Sequence, residues 1–357
     1  MKIFFALVPA LFFAPGPALA AGPAAAPKAD FSVREIGPLL VPSRSSFPVV
    51  GQGGNYSLAL GEGKTLWLLN NIWTGELKEK GEVSLWGVVD GGLAVSESTS
   101  PYAAGAGLSY TVDENRWPLP LLTAEAADYS PVRKFWPRAG VRTSSGCFVF
   151  YSLMNNYGPQ VYDNFRVGQG LAFSADPAGH YGMLQVGGRY AFWNDIEPAF
   201  GSALWPDRDG WVYVYGRVMT EPGKYSAALA RVLPEDLADR DRYAYYSPGA
   251  SSGPWTADAG EAAAVLEDMP DEFSVSYNEH LKKYLALYSG AEGGVLLRTG
   301  DYPWGPWTAP RSALACRKEE YCYGGKEQAA FSSEGGRRIF FTVEKKNLPR
   351  LYELEFK

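Results

Sequence analysis

Gly201-Ser-Ala-Leu-Trp205, Pro206-Asp-Arg-Asp-Gly210 and Trp211-Val-Tyr-Val-Tyr215 follow one another without a break, and this stretch decides how the chain is read. It starts with small and apolar residues, turns through a polar segment closed by glycine, and continues into alternating aromatic and β-branched residues. That order describes a β-hairpin. Pro, Asp and Gly hold the turn, and bulky flat or branched side chains suit a pleated surface. Four other segments repeat the design. The first joins Ser57-Leu-Ala-Leu60, Gly61-Glu-Gly-Lys64 and Leu66-Trp-Leu-Leu69. The next joins Ala139-Gly-Val-Arg142, Thr143-Ser-Ser-Gly146 and Cys147-Phe-Val-Phe-Tyr151. Beyond the opening example comes Phe273-Ser-Val-Ser-Tyr277, with Asn278-Glu-His-Leu281 and Tyr284-Leu-Ala-Leu-Tyr288. The last is Ala329-Ala-Phe331, with Ser332-Ser-Glu-Gly-Gly336 and Ile339-Phe-Phe-Thr-Val343.

The copies recur every roughly 55 to 80 residues, which suits a four-stranded sheet with its loops better than a solenoid repeat. Further strands follow most hairpins, at Leu171–Ser174, Ala227–Val232, Val295–Thr299 and Leu351–Phe356. The pattern predicts an all-β chain folded as a five-bladed β-propeller over residues 30–357. Small first strands crowd around a central axis, and aromatic second strands pack between sheets. A two-sheet sandwich has no reason to place five small strands at repeat intervals. Phe31-Ser-Val-Arg-Glu-Ile36 is expected to complete the blade that holds the C-terminal strand. Helices are expected to be few, with one or two turns over Pro234–Asp239.

Composition narrows the function. The chain has 357 residues, a net charge of -6 and 46% hydrophobic residues. An acidic chain lacks the basic face that nucleic acid requires. With 2 His and 3 Cys it cannot assemble a His- or Cys-rich zinc site, so neither metal nor cofactor is expected. Lys2, the apolar run Ile3–Phe13 and Ala18-Leu19-Ala20 read as a signal peptide over residues 1–20, because an apolar run of roughly eleven residues is too short to span a bilayer. Residues 21–29, rich in Ala and Pro, read as a disordered lead-in. A secreted or periplasmic monomer with no membrane span is therefore expected. Export also makes a Cys316–Cys322 disulfide reasonable. Cys147 lies in an apolar run and reads as a small buried hydrophobe.

In a propeller the starts of the innermost strands converge on one mouth of the central channel. The residues there are Gln52 and Asn55, Trp136 and Arg138, Asp195 and Glu197, Asp271 and Glu272, and Lys326 and Glu327, with Trp193 and Tyr323 close by. Glu197, Glu272 and Glu327 are expected to face one another over a single pit. Such a mixture suits a sugar: aromatic faces stack on the ring, and carboxylates and amides bond its hydroxyls. Two carboxylates flanking a glycosidic bond can cleave it when one is protonated and the other ionised. Glu272 is the first candidate catalytic acid, with Glu197 or Asp195 as its partner. Asn55, Trp136, Arg138, Trp193, Tyr323, Lys326 and Glu327 are candidate substrate-binding residues. The plainer reading of Trp136 and Trp193 is packing between blades.

Leu66-Trp-Leu-Leu69 after its Gly-Glu-Gly turn resembles a bacterial five-bladed propeller family, domain of unknown function 4185. So do Gly201-Ser-Ala-Leu with Gly210-Trp-Val-Tyr-Val-Tyr215, Glu272-Phe-Ser-Val-Ser-Tyr277, and Val295-Leu-Leu-Arg-Thr299 with Pro303-Trp-Gly-Pro-Trp307. Some members of that family are endo-D-arabinanases, and the fold is similar to other five-bladed furanosidases. The resemblance implies a polysaccharide or oligosaccharide partner of furanoside type. It also exposes departures. Asn70-Asn71-Ile72 stands where the family commonly has Gly-Asp-Thr, and Gly51-Gln-Gly-Gly-Asn55 replaces an expected Asp, which places Asn71 with Asn55 among the substrate-binding candidates. Asparagine keeps the shape of aspartate but cannot ionise. Two functions follow: an exported glycoside hydrolase, or an inactive glycan- or protein-binding propeller.

Overall fold

A computed structural model gives the structure of residues 30–41, 48–78, 82–98, 100–123, 132–160, 163–251, 253–320 and 322–357. The segments read as signal peptide and lead-in, 1–20 and 21–29, lie outside these residues. Phe31–Lys357 forms one compact unit of five antiparallel sheets, a five-bladed β-propeller.

Each second strand explains why. In blade 1, Leu66, Trp67, Leu68 and Leu69 are all fully buried. Alternate residues of a strand point to opposite faces, so a strand apolar at every position needs cover on both sides. The apolar residues accordingly fall into five clusters, one between each pair of neighbouring blades. Leu66 and Leu68 join Val149 and Tyr151 of blade 2, whereas Trp67 and Leu69 join Phe340 and Leu351 of blade 5. Phe148 and Phe150 turn to Val212 and Val214 of blade 3. Tyr213 and Tyr215 turn to Ala286 and Tyr288 of blade 4, and Leu285 and Leu287 to Ile339, Phe341 and Val343 of blade 5. The core is thus a ring of inter-blade layers.

The inner strands are Val49–Gly53 continued by Tyr56–Gly61, Arg133–Arg142, Ala199–Pro206, Phe273–Asn278 and Cys322–Glu327. Each pairs with the second strand of its own blade. The ring closes as the sequence predicts: Phe31–Pro38 pairs antiparallel with Leu348–Phe356, from Phe31 opposite Phe356 to Pro38 opposite Arg350. One hairpin is placed differently. Ala329–Phe331 forms a 3-10 turn, and the inner strand of blade 5 is Cys322–Glu327, paired with Arg338–Lys345. The two glycines of Cys-Tyr-Gly-Gly-Lys-Glu hide its strand character in the sequence, because Gly is a poor strand former. Pro234–Asp236 and Arg240–Arg242 are the short 3-10 turns near the anticipated helical segment. Among the described residues no helix is long and apolar enough to cross a membrane. Cys316 and Cys322 form a disulfide, and Cys147 is buried and free.

Small residues in the inner strands answer to the preceding blade, rather than to crowding at the axis alone. A Cβ at Gly140 would lie 3.0 Å from Leu68 of blade 1, and one at Gly325 would lie 2.9 Å from Ser289 of blade 4. Gly201 is the tightest case. It sits at a register shift with φ +103°, where a Cβ would approach within 2.3 Å of Phe150. Gly201→Ala is therefore expected to cost about 3 kcal/mol or more in denaturant unfolding, through a disfavoured backbone and a clash in a packed layer. A loss below about 1 kcal/mol would show that this strand can back away from blade 2.

Candidate functional site

An antiparallel hairpin brings the end of its second strand beside the start of its first. The mouth of the channel is therefore built from two rings of residues. Gly53 lies opposite Asn71, Trp136 opposite Ser152, Ala199 opposite Arg217, and Tyr323 opposite Glu344. Asp271, Glu272, Tyr323 and Gly324 line a cavity of about 800 Å³ at this mouth. A second cavity of about 540 Å³ shares Asp271 and Arg217 with it and continues past Arg138 to Asp195 and Glu197.

Glu272 gathers partners from three other blades. Its Oε1 accepts from Asn70 Nδ2 of blade 1 at 2.6 Å and lies 3.5 Å from Arg138 Nη1 of blade 2. Its Oε2 accepts from Lys326 Nζ of blade 5 at 2.7 Å. All these neighbours are donors, so both oxygens serve as acceptors. Arg138 also pairs with Asp271 and donates through Nε to Ser152 Oγ at 3.0 Å. Lys326 donates further to the carbonyls of Gly54 and Gly324, at 2.5 and 2.8 Å. Burial pushes the Asp271 carboxyl upward, but Arg138, with Arg217 and Arg166 behind it, outweighs this and holds it below the ordinary range.

A further carboxyl lies beside this cluster. Glu344 is 1% exposed, and its Oε1 accepts from Asn55 Nδ2 at 2.8 Å. Gln52 Nε2 donates to Asn55 Oδ1 at 2.6 Å and so fixes which way that amide points. Glu344 Oε2 makes no well-formed hydrogen bond, although the nearby Tyr323 hydroxyl, which donates to Asn347 Oδ1 at 2.5 Å, still lowers its pKa somewhat. Burial first, and the negative charge of Glu272 second, push Glu344 up to about 7. Gly324 has φ +63°, and a Cβ there would sit 3.3 Å from Glu344 Oε1 and 3.4 Å from Glu272 Oε2. The two carboxyl groups therefore border one gap, the space that a side chain at Gly324 would fill, with their oxygens no more than about 7 Å apart.

The residues singled out from the sequence divide. Glu272, Arg138, Lys326 and Asn55 belong to this cluster, and Tyr323 borders it. The Asn71 side chain donates to Asn70 Oδ1 at 3.2 Å, and its neighbour Asn70 is the one that reaches Glu272. The three glutamates expected over one pit do not share partners. Glu197 is held by Arg240 at 2.7 Å and by the backbone N–H of Asn194 at 2.8 Å. Glu327 accepts from Ser276 at 2.5 Å and Ser332 at 2.8 Å, and burial raises its pKa. Asp195 is exposed, and its carbonyl accepts from Arg166 at 2.7 Å. Trp193 is fully buried among Phe150, Phe200 and Tyr243, with Nε1 donating to Tyr245 at 2.8 Å, so it packs blades 2 and 3 and offers no face to a ligand. Trp136 is half-buried with its indole N–H buried and unpartnered. Glu344, Asn70 and Gly324 were missed because the sequence reading followed only the starts of inner strands. The signal was available: Glu344 continues a strand buried on both faces.

A raised carboxyl leaves a mark on stability. The ordinary value is 4.5 and the folded value about 7, so the folded protein keeps a proton that the unfolded chain releases. The stability tied to this group is complete below pH about 4.5 and is lost as pH rises through about 7. Glu344→Gln removes that loss, worth at most about 3 kcal/mol. Melting curves should show the variant gaining several degrees on the parent between pH 5 and 8. A constant difference across that range would mean that Glu344 does not titrate there.

Solved structures with the same architecture include one from Bacteroides ovatus ATCC 8483, 17% identical, with TM-score 0.64 over 87% of each chain. A protein of unknown function from Dyadobacter fermentans DSM 18053 is 10% identical with TM-score 0.50, over 91% of this chain and 100% of that one. An endo-arabinase from Bacteroides thetaiotaomicron VPI-5482 is 15% identical with TM-score 0.50, over 87% and 96%. At such identities the likeness is one of fold. No curated protein matches the sequence. Residues 132–352, which run from the start of blade 2 into the last strand of blade 5, match the family described as domain of unknown function (DUF4185), and the chain belongs to that family.

Proposed function

We propose that the protein is an exported glycoside hydrolase acting on a furanoside-containing polysaccharide of arabinan type. One observation carries the reading: Glu272 and Glu344 flank the gap over Gly324, the first surrounded by donors and the second raised to about 7. Two acids whose environments separate them in this way can divide acid and base work between them. Glu344 would give its proton to the glycosidic oxygen. Glu272, on the cavity wall, would support the positive charge that develops at the anomeric carbon, or take a proton from water. Lys326 and Arg138 position Glu272, and Asn55 positions Glu344. The N-terminal apolar segment and the Cys316–Cys322 disulfide support action outside the cytoplasm.

A specific observation also favours a non-catalytic glycan-binding propeller. Both oxygens of Glu272 are already engaged, and Asn71 and Asn55 stand where the family resemblance leads one to expect acids. Reducing-sugar release from arabinan separates the two readings. The enzyme reading predicts product, reduced by at least about a hundredfold in Glu272→Gln, with folding of the variant checked by its melting transition. Saturable binding of arabino-oligosaccharide in calorimetry without product would establish the binding reading. Undiminished turnover by Glu272→Gln would remove Glu272 from the mechanism.

A further inference from the structure

The cavity beyond Asp271 is lined by three carboxylates, Asp271, Asp195 and Glu197, and by as many cations, not all of which are paired with them. Three guanidiniums line it: Arg138, Arg166 and Arg217. Arg138 is taken by Asp271 and Glu272, and Glu197 is taken by Arg240. Arg166 spends its donors on backbone, giving Nη1 to the carbonyl of Asn194 at 3.0 Å and Nη2 to those of Asp195 and Glu197 at 2.7 and 2.8 Å. Arg217 has no ion pair among the described residues. Its cross-strand neighbours are Ala199 and Ala227, which offer nothing polar. Its guanidinium carbon lies over the Tyr225 ring, 3.3 Å from the centroid, and its Nε is buried without a hydrogen-bond partner among the described residues. Asp195, the remaining carboxylate on this wall, is in no ion pair among the described residues. Arg217 and Arg166 thus act on Asp271 only from behind Arg138, and neither is in an ion pair among the described residues.

Arg217 also lines the larger cavity beside Glu272, so it stands between the two spaces. Tyr225 lines both as well and holds the planar fork in place before any ligand arrives. An ordered guanidinium loses little freedom on binding a carboxylate or phosphate, and its geometry matches either group. We infer that Arg217, supported by the charge of Arg166, forms a subsite for an anionic substituent on the saccharide bound at Glu272. The substrate class is then an acidic furanoside glycan, whose charge is a uronic carboxylate or a phosphate ester. This inference rests on the glycan reading of the mouth.

Calorimetric titration tests it with five probes: neutral arabinose, neutral arabino-oligosaccharide, arabinose 5-phosphate, glucuronic acid and inorganic phosphate. Arabinose 5-phosphate is expected to bind about tenfold or more tighter than arabinose at low salt, and 0.5 M salt should shrink that advantage. Glucuronic acid distinguishes a carboxylate preference from a phosphate preference. Arg217→Gln should abolish the discrimination between charged and neutral probes, while Arg217→Lys should keep a weaker form of it. The salt dependence of the parent protein carries the test if either variant fails to fold. Equal affinity for arabinose and its phosphate would overturn the subsite, even where neutral arabino-oligosaccharide binds and the glycan reading stands. Arg217-dependent binding of inorganic phosphate without any saccharide binding would keep the anion subsite and remove the glycan reading. Absence of binding by every probe would remove both.

Discussion

The second strand of every blade must be covered on both faces, and the rest of the structure follows from that requirement. Leu66 to Leu69, Phe148 to Tyr151, Val212 to Tyr215, Leu285 to Tyr288 and Ile339 to Val343 each send alternate side chains into two different apolar layers. A stack of such sheets ending in open edges would leave an apolar face in water at each end. Closing the ring removes both ends, and the pairing of Phe31–Pro38 with Leu348–Phe356 joins the chain's first described strand to its last. The tight inner strands follow as well, because Gly201 and Gly140 let each sheet approach the one before it.

Ring closure also assembles the charged cluster at the mouth. Glu272 comes from blade 4, and its partners Asn70, Arg138 and Lys326 come from blades 1, 2 and 5. Arg138 and Lys326 are 2% and 1% exposed. Taking such charges out of water is costly, and apolar packing of similar volume is often at least as stable. The cluster therefore makes more sense as a positioned site than as a source of stability. Its charge count explains Glu344. Lys326, already paired with Glu272, offsets only part of the effect of burial and of the Glu272 charge on Glu344, and these two together favour its protonated form.

The ring was legible in the sequence because its cause is compositional. Five largely apolar strands, four of them preceded by a glycine-bearing turn, can be read without coordinates. So could the closure by Phe31–Pro38, the Cys316–Cys322 disulfide and the place of Glu272, which directly precedes an inner strand. The fifth inner strand was not legible, because Gly324 and Gly325 look like a turn and acquire strand pairing only through the neighbouring sheet. Site membership was legible by half. Starts of inner strands mark the mouth, but so do the second strands, and Glu344 sits at the end of one while Asn70 lies within Lys64–Leu77. Side-chain direction is not written in spacing. Glu197 and Glu327 occupy the right level of the fold, yet Arg240 takes the first and two serines take the second.

The central claim is that the gap over Gly324, between Glu272 and Glu344, is where a glycan's linkage lies. A crystal structure of the Glu272→Gln protein soaked with an arabinan-derived oligosaccharide tests it most directly. The account predicts sugar density in the cavity beside Glu272, with a glycosidic oxygen facing that gap and one ring reaching toward Arg217. Ordered sugar bound on another face of the propeller, with the gap left to solvent, would contradict it.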